Sequence, residues 1–374
     1  MTEAAAATDK PTTPKPPADQ PTFNRADYLI ITGAVVAVVL AGLAHYLGWG
    51  KVIPFIVSAL AVCLLASLVG RSVEQLGDRF GPGATGVLQS ALGNLPELFI
   101  ALFALRAGLV DVVRAALIGS ILANLLLVLG LAFVVGGLKN GKQKIGSVRA
   151  RSISSLMLLA LVALVMPSIA SYTKTPAAGH ESALSLIASA VLILIFLLSL
   201  PGSLRKSAGG SGPVMHGAPA RWPLVLAVVM LAAAAAAAAF VSDWFVSALQ
   251  PAMAALHVSP AFAGLVVVAI AGNAIENVVG VQLSAKNQSE YAYSVIINSP
   301  LQIALLLAPV LVILSQVFGF SALTLVFSPV LVVAVALAVI ISVVITVDGE
   351  SDWLEGAALI GVYIVIAATF WWGG

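Results

Sequence analysis

The chain has 374 residues, of which 60% are hydrophobic and only 9% are charged, and its formal net charge is +2. A soluble globular domain carries about 25% charged residues, so this composition excludes a soluble globule and predicts an integral membrane protein. The small positive charge gives no reason to expect a nucleic-acid partner, and the lipid bilayer is the expected surrounding.

The predicted elements begin with residues 1–26, which are rich in Pro, Thr and Ala, and we expect a disordered tail there rather than a signal peptide. After the tail come eleven apolar stretches of about 18 to 25 residues, the length that a helix needs to cross the hydrocarbon core. The predicted fold class is therefore all-α, a polytopic membrane protein. The predicted spans are 27–48, 53–76, 84–105, 111–137, 150–170, 183–200, 223–247, 259–283, 292–317, 323–346 and 354–372.

A polar motif interrupts two of these spans. Residues 93–97 read Gly-Asn-Leu-Pro-Glu, and residues 272–276 read Gly-Asn-Ala-Ile-Glu, at an offset of 179. The same offset relates Ser120 to Ser299, each 23 residues after the glutamate of its own half. The chain is therefore predicted to contain two copies of one structural unit.

The two copies divide the chain into five spans each. The extra helix 27–48 precedes the first repeat, 53–200, and a Gly- and Ser-rich linker, 201–222, joins it to the second repeat, 223–372. Because five is odd, the repeats enter the membrane in opposite directions, the inverted arrangement in which secondary transporters place their sites near the midplane.

The basic residues predict the orientation. With a cytoplasmic N-terminus, the inner segments carry fourteen of the eighteen Lys and Arg residues, as the positive-inside rule requires. We expect the plasma membrane of a prokaryote, with the N-terminus in the cytoplasm. No oligomeric state is predicted.

The two glutamates of the motif, Glu97 and Glu276, lie well inside apolar spans. An ionised carboxylate at the bilayer centre costs about 3 kcal/mol, so acids in this position are usually functional. Brought together, the two could neutralise a divalent cation; without a cation they are expected to bind protons, because neighbouring like charges disfavour each other's ionisation. Cation and proton would then compete for the same oxygens, which is the minimal requirement for antiport.

Other residues of the motif could complete the cation site. Gly93, Pro96 and Gly272 are expected to interrupt their helices and to turn backbone carbonyls toward the ion. Hard cations such as Ca²⁺ take 6 to 8 oxygen ligands. Further candidate oxygens are the amides of Asn94 and Asn273 and the hydroxyls of Ser120 and Ser299.

These stretches resemble the cation/Ca²⁺ exchanger superfamily, and within it the Ca²⁺/H⁺ antiporters. The resemblance covers residues 93–98 and 119–130 of the first half, and 272–276 and 302–305 of the second, the last followed by Pro309. It implies an alternating-access antiporter rather than an enzyme, with no cofactor. The implied transported cation is Ca²⁺, with Na⁺ as the alternative, and H⁺ is the counter-ion. The implied ligands are Glu97 and Glu276, with Ser120, Ser299 and Gln302 lining the site.

The sequence departs from the Ca²⁺/H⁺ branch at several positions. Asn277 stands where that branch usually has histidine, Asn298-Ser299-Pro300 stands where it usually has Gly-Ser-Ser, and Ala123 replaces a usual serine. The same scaffold serves Na⁺ in related members, so a Na⁺/H⁺ or Na⁺/Ca²⁺ exchanger is the alternative. A passive cation channel is a weaker one, because a filter normally uses a symmetric ring rather than inverted halves.

Overall fold

The structure is a computed structural model, and it describes residues 22–80, 92–208 and 221–372. Within these ranges, side chains are described except at 78–80, 147–149, 201–208 and 274–276. Residues 1–21 of the predicted tail and residues 209–220 of the predicted linker lie outside the described part.

The described residues form twelve helices and two short strands. Nine of these helices are individually long and apolar enough to cross a membrane, and the bent pair α8 and α9 together makes a tenth candidate. The helices are α1 Arg25–Leu47, α2 Ile53–Phe80, α3 Leu95–Arg106, α4 Val110–Asn140, α5 Ser147–Tyr172, α6 Glu181–Ala208, α7 Leu224–Leu256, α8 Pro260–Gly272, α9 Ala274–Ala285, α10 Ser289–Val317, α11 Pro329–Thr346 and α12 Trp353–Trp371, and the strands are β1 Gln143–Lys144 and β2 Glu350–Ser351.

The predicted count of eleven differs at one span. The predicted span 84–105 is represented by α3 and Leu92, while residues 84–91 lie outside the described part. The other ten correspond to the nine long helices and the bent pair.

The predicted span 323–346 begins later in the structure, at Pro329. Ser328 caps α11 by accepting a hydrogen bond from the Leu331 amide, and proline is favoured in the first helical turn. The preceding residues Leu323 to Phe327 are not helical, and Leu323, Leu325 and Phe327 are fully buried, so their backbone needs hydrogen-bond partners outside a helix. Three serine hydroxyls accept the amide protons of Leu323, Leu325 and Phe327: those of Ser315, Ser185 and Ser168.

Three of the described helices contain a π-helical segment; one lies in α8 at Ala263–Val268, and the other two lie at equivalent positions of the two halves. A π-helical segment occupies Ala123–Val128 in α4, and another occupies Ile303–Leu307 in α10. Shifting the first by 179 residues gives 302–307, which overlaps the second. Helices of the π type are rare and occur frequently at functional sites. The repeat seen in the sequence is thus matched by irregularities of the backbone.

The loops sort into two faces. β1 pairs antiparallel with β2, which joins the loop after α4 to the loop after α11. On the same side, the side-chain oxygen Oε1 of Gln75, near the end of α2, accepts a hydrogen bond from the Trp222 backbone amide just before α7. We name this side the strand face, and it comprises residues 22–24, 141–146, 221–223, 286–288 and 347–352.

Contacts at the other end of the molecule join the remaining loops. Arg114, near the beginning of α4, donates to the Thr324 hydroxyl at 2.8 Å, and the Ser259 hydroxyl donates to the Phe370 carbonyl at 2.6 Å. We name this side the opposite face, and it comprises residues 48–52, 107–109, 173–180, 257–259 and 318–328. Each of these contacts joins segments that the predicted topology places on one side.

The two halves cross at α4 and α8, where two glycines allow close approach. A Cβ at Gly119 would lie 2.3 Å from the Leu265 carbonyl oxygen, and one at Gly264 would lie 2.3 Å from that of Val112. Real Cβ atoms do not approach this closely, so larger residues would force the helices apart. Because Ser120 follows Gly119 directly, this crossing fixes the position of a candidate site residue relative to the second half.

Candidate functional site

The first helix interruption places a carboxylate at a helix N-terminus. Gly93 and Asn94 form a turn, with φ −91° and ψ 15° at Asn94, and α3 begins at Leu95. Pro96 is the second residue of α3, where its missing N–H costs no hydrogen bond. Glu97 therefore lies in the first turn of α3, where the helix dipole favours negative charge, and its side chain is only 3% exposed.

The second interruption has the same form. Asn273 follows Gly272, the last residue of α8, with φ −105° and ψ 24°, and α9 begins at Ala274. The two helices are bent by 61°. Glu276 lies in the first turn of α9, as Glu97 does in α3, but its side chain lies outside the described part. Ile275 occupies the place of Pro96, so this interruption forms without a proline.

The two interruptions lie side by side. A Cβ at Gly272 would be in van der Waals contact with Glu97, 3.4 Å from both its Cβ and its Cγ. The glycine that ends α8 therefore lies directly against the side chain of Glu97, and a Cβ at this position would make an ordinary contact with it.

A chain of hydrogen bonds runs from the second half to Glu97. The Ser299 hydroxyl donates to Asn273 Oδ1 at 3.0 Å, and Asn273 Nδ2 donates to Ser120 Oγ at 2.9 Å. Ser120 Oγ in turn donates to Glu97 Oε1. Each of these side chains is at most 3% exposed. Because the donors all point toward the carboxylate, the chain compensates negative charge on Glu97.

Asn124 joins this network, although the sequence analysis did not single it out. Its Nδ2 lies 2.9 Å from the Ser120 carbonyl and 3.2 Å from both Asn273 Oδ1 and Ser299 Oγ. Its Oδ1 is buried and has no hydrogen-bond partner among the described residues. The available signal was its spacing, because a residue four after Ser120 lies on the same helical face.

The remaining predicted amides form a pair between the halves. Asn94 Nδ2 lies 3.4 Å from Gln302 Oε1, and both side chains are partly buried. Asn94 belongs to the first interruption, and Gln302 directly precedes the π-helical segment of α10. Apart from Glu276, whose side chain lies outside the described part, each predicted ligand is thus hydrogen-bonded to another predicted ligand.

The donor set is rich in oxygen and poor in nitrogen and sulfur ligands. Among the described residues, no group of three or more His, Cys, Asp and Glu side chains could hold a metal. A hard cation prefers carboxylate, amide, hydroxyl and backbone oxygens. The described oxygens suited to such a cation belong to Glu97, Ser120, Asn124, Asn273, Ser299, Asn94 and Gln302.

A small cavity of about 10 Å³ adjoins Glu97 on the side of the opposite face. Most of its lining comes from α3 after Glu97 and from the beginning of α4, both of which lead to the loop at 107–109, and one residue each of α7 and α8 completes it. The lining beyond Glu97 is apolar and includes Ile100, Ala104, Val113 and Leu117. Space next to the carboxylate is thus directed toward one face of the molecule.

The sequence matches the family model described as sodium/calcium exchanger protein over residues 51–204 and 226–372. These two segments contain both helix interruptions, and the bounds of each differ by only a few residues from those of one repeat predicted from the sequence.

Curated relatives cover most of the chain. The Ca(2+)/H(+) antiporter of Synechocystis sp. is 36% identical over 354 residues, which is 87% of this chain and 93% of that protein. The Ca(2+)/H(+) antiporter ChaA of Bacillus subtilis is 35% identical over 356 residues, which is 93% of this chain and 99% of that protein.

Solved structures have the same architecture. The structure of native YfkE superimposes with a TM-score of 0.78 at 34% sequence identity, covering 91% of this chain and 99% of that one. The H⁺/Ca²⁺ exchanger CAX gives a TM-score of 0.71 at 16% identity, which supports the fold alone. The protein is therefore an α-helical integral membrane protein that belongs to the sodium/calcium exchanger protein family.

Proposed function

We propose that the protein is a secondary active antiporter that exchanges Ca²⁺ for H⁺ by alternating access. The observation that carries the proposal is the buried Glu97 carboxylate, held at the interruption of one repeat by serine and asparagine side chains that connect it to the interruption of the other. The similarity to two Ca²⁺/H⁺ antiporters, at 35% and 36% identity, supports the same function.

The proposed ligands act together with Glu276, which holds in the second repeat the position that Glu97 holds in the first. With Ca²⁺ bound, two carboxylates neutralise the divalent charge, and the neutral oxygens of Ser120, Asn273 and Ser299 add coordination. Without Ca²⁺, two protons neutralise the same carboxylates. Either loaded state removes net charge from a site of low dielectric, so both can be carried through the membrane, whereas the empty dianion cannot.

The function is tested by transport in proteoliposomes of the purified protein with an imposed pH gradient, with Ca²⁺ and Na⁺ supplied separately. We expect uptake of Ca²⁺ driven by the gradient, accompanied by proton movement in the other direction. Gradient-driven uptake of Na⁺ without uptake of Ca²⁺ would overturn the proposal.

A Na⁺-linked exchanger on the same fold is the second candidate, and Asn277 favours it. This residue is a neutral amide where the Ca²⁺/H⁺ branch usually has a titratable histidine, and its Oδ1 is buried without a hydrogen-bond partner among the described residues. The transport assay separates the two candidates directly, since a Na⁺ gradient would then drive Ca²⁺ movement at constant pH.

We further propose that the protein lies in the plasma membrane of a prokaryote with the strand face in the cytoplasm. This orientation follows the distribution of basic residues. In a Cys63→Ser background, Lys142→Cys on the strand face and Thr175→Cys on the opposite face should react with a membrane-impermeant maleimide from different sides. Labelling of both from one side would contradict the inverted arrangement, and the Cys63→Ser background without either cysteine provides the blank.

A further inference from the structure

A second cavity, also of about 10 Å³, lies between α5, α10 and α11, away from Glu97. Its polar lining consists of four hydroxyl side chains, and its apolar lining includes Leu125 and Ile297. The hydroxyls belong to Ser154, Tyr293, Ser342 and Thr346.

These hydroxyls are buried and come from both halves of the chain. Tyr293 is 2% exposed, Ser342 is 3% exposed and Thr346 is 1% exposed, while Ser154 from the first half is 8% exposed. The Tyr293 hydroxyl donates to Thr346 Oγ1 at 3.3 Å, and Thr346 Oγ1 donates to the Ser342 carbonyl at 2.7 Å. Each of these hydroxyls has two acceptor lone pairs, and the hydroxyls face one another across a small space.

The cavity meets the two conditions for a buried water molecule. A site of roughly 10 to 15 Å³ holds one water when two to four polar partners surround it. The four hydroxyls supply the partners, because each hydroxyl can both donate and accept. A cavity lined by apolar groups alone would remain empty.

The position of the cavity relates it to ion exchange. Thr346 is the last residue of α11, so one side of the cavity lies near the strand face. On the other side, Leu125 directly follows Asn124, and Ile297 precedes Ser299 by two residues. Tyr293 precedes Ser299 by six residues, which is about 9 Å along a helix. The hydroxyl cluster therefore lies between the strand face and the network around Glu97.

The chemistry of the lining suits protons rather than cations. The cavity has no carboxylate in its lining, and a space for about one water cannot admit a hydrated divalent ion. A hydroxyl that accepts one hydrogen bond while donating another can pass a proton along without a net change of its own. A water among four such groups can do the same.

Building on the proposed Ca²⁺/H⁺ exchange, we propose that this cavity holds a water molecule which, with the Tyr293 hydroxyl, relays protons between the strand face and the carboxylate site. The relay is separate from the path of the cation. With this relay, the apolar stretch that a proton must cross between the cavity and the carboxylate site is the one lined by Leu125 and Ile297.

The test is Tyr293→Phe, which keeps the ring and removes the hydroxyl. Two transport modes are measured in proteoliposomes: Ca²⁺/H⁺ exchange, which moves protons, and Ca²⁺/Ca²⁺ exchange with labelled Ca²⁺, which does not. We expect Ca²⁺/H⁺ exchange to slow by about fivefold or more, while the Ca²⁺ KM and the rate of Ca²⁺/Ca²⁺ exchange change by less than about twofold.

Tyr363→Phe is the matched control. Tyr363 is also buried, at 4% exposure, and its hydroxyl has no hydrogen-bond partner among the described residues, but it does not line this cavity. We expect both transport modes of this variant to equal those of the unmodified protein.

Two results would overturn the relay. Equal slowing of both modes by Tyr293→Phe would show a structural role, and normal Ca²⁺/H⁺ exchange in that variant would show that the hydroxyl is not needed. Both results are distinct from failure of the proposed function, in which the unmodified protein itself would not exchange Ca²⁺ for H⁺.

Discussion

Glu97→Gln is expected to abolish Ca²⁺/H⁺ exchange. The substitution removes one of the two negative charges that a bound Ca²⁺ requires. Because Glu97 is only 3% exposed, little water is present to solvate the charge that is left uncompensated. Removing one partner of a buried charge pair costs about 3 to 5 kcal/mol. At 1.4 kcal/mol for each tenfold change, affinity for Ca²⁺ should fall by roughly a hundredfold to a few thousandfold. The measurement is Ca²⁺ flux and Ca²⁺ binding with the purified variant in proteoliposomes.

The fold should survive this change. A glutamine oxygen can still accept the hydrogen bond that Ser120 Oγ donates to Glu97, and the side chain keeps its size. Glu74→Gln is the control, because Glu74 pairs with Arg71 at 3.2 Å, is 38% exposed and lies away from the interruptions. Equal loss of exchange in both variants would point to general destabilisation rather than to a lost ion ligand.

Glu276→Gln should have the same effect as Glu97→Gln, since the repeat gives the two glutamates equivalent places in the first turns of α9 and α3. Normal Ca²⁺ uptake by either variant would contradict a shared site. If Glu276→Gln alone retained uptake, the ion would be bound by the first half only, and the two glutamates would not have equivalent functions.

The sequence predicted the two polar interruptions because their residues carry strong local signals. Glycine, asparagine and glutamate inside an apolar stretch conflict with an uninterrupted buried helix, and the repeat removes chance as an explanation. A proline is not needed to interrupt the helix, although the first half alone suggested that it was. The chain breaks at Asn273 with Ile275 in the proline position, and its dihedral angles differ from those of Asn94 by only 14° in φ and 9° in ψ, from −91° and 15° to −105° and 24°.

Other features depended on contacts between distant parts of the chain. The segment Leu323 to Phe327 is apolar enough to be read as the beginning of a helix, but it is not helical, and serines from three helices supply the partners of its backbone amides. Ser328 and Pro329 marked the real start. Asn124 shares a helical face with Ser120, yet its role becomes visible only when Asn273 and Ser299 from the other half are brought next to it.

Exchange should be nearly electroneutral, with about two protons moved for each Ca²⁺. Two carboxylates hold either one divalent ion or two protons, and both loaded forms are neutral. Asn277 adds no titratable group next to Glu276, so the glutamates are the proton carriers of the proposed site. The flux should therefore depend steeply on pH and respond weakly to membrane potential.

The voltage response distinguishes the possible cycles, because each charge moved across the membrane gains about 2.3 kcal/mol per 100 mV. The measurement is Ca²⁺ flux into proteoliposomes at a fixed pH gradient while a potassium diffusion potential is varied. A cycle that moves no net charge gains nothing from this potential, so its rate should stay nearly constant. A strong dependence would mean that a third charge moves with each Ca²⁺. The hydroxyls between α5, α10 and α11 are neutral and cannot carry it, so the Na⁺-linked cycle would then become the better description.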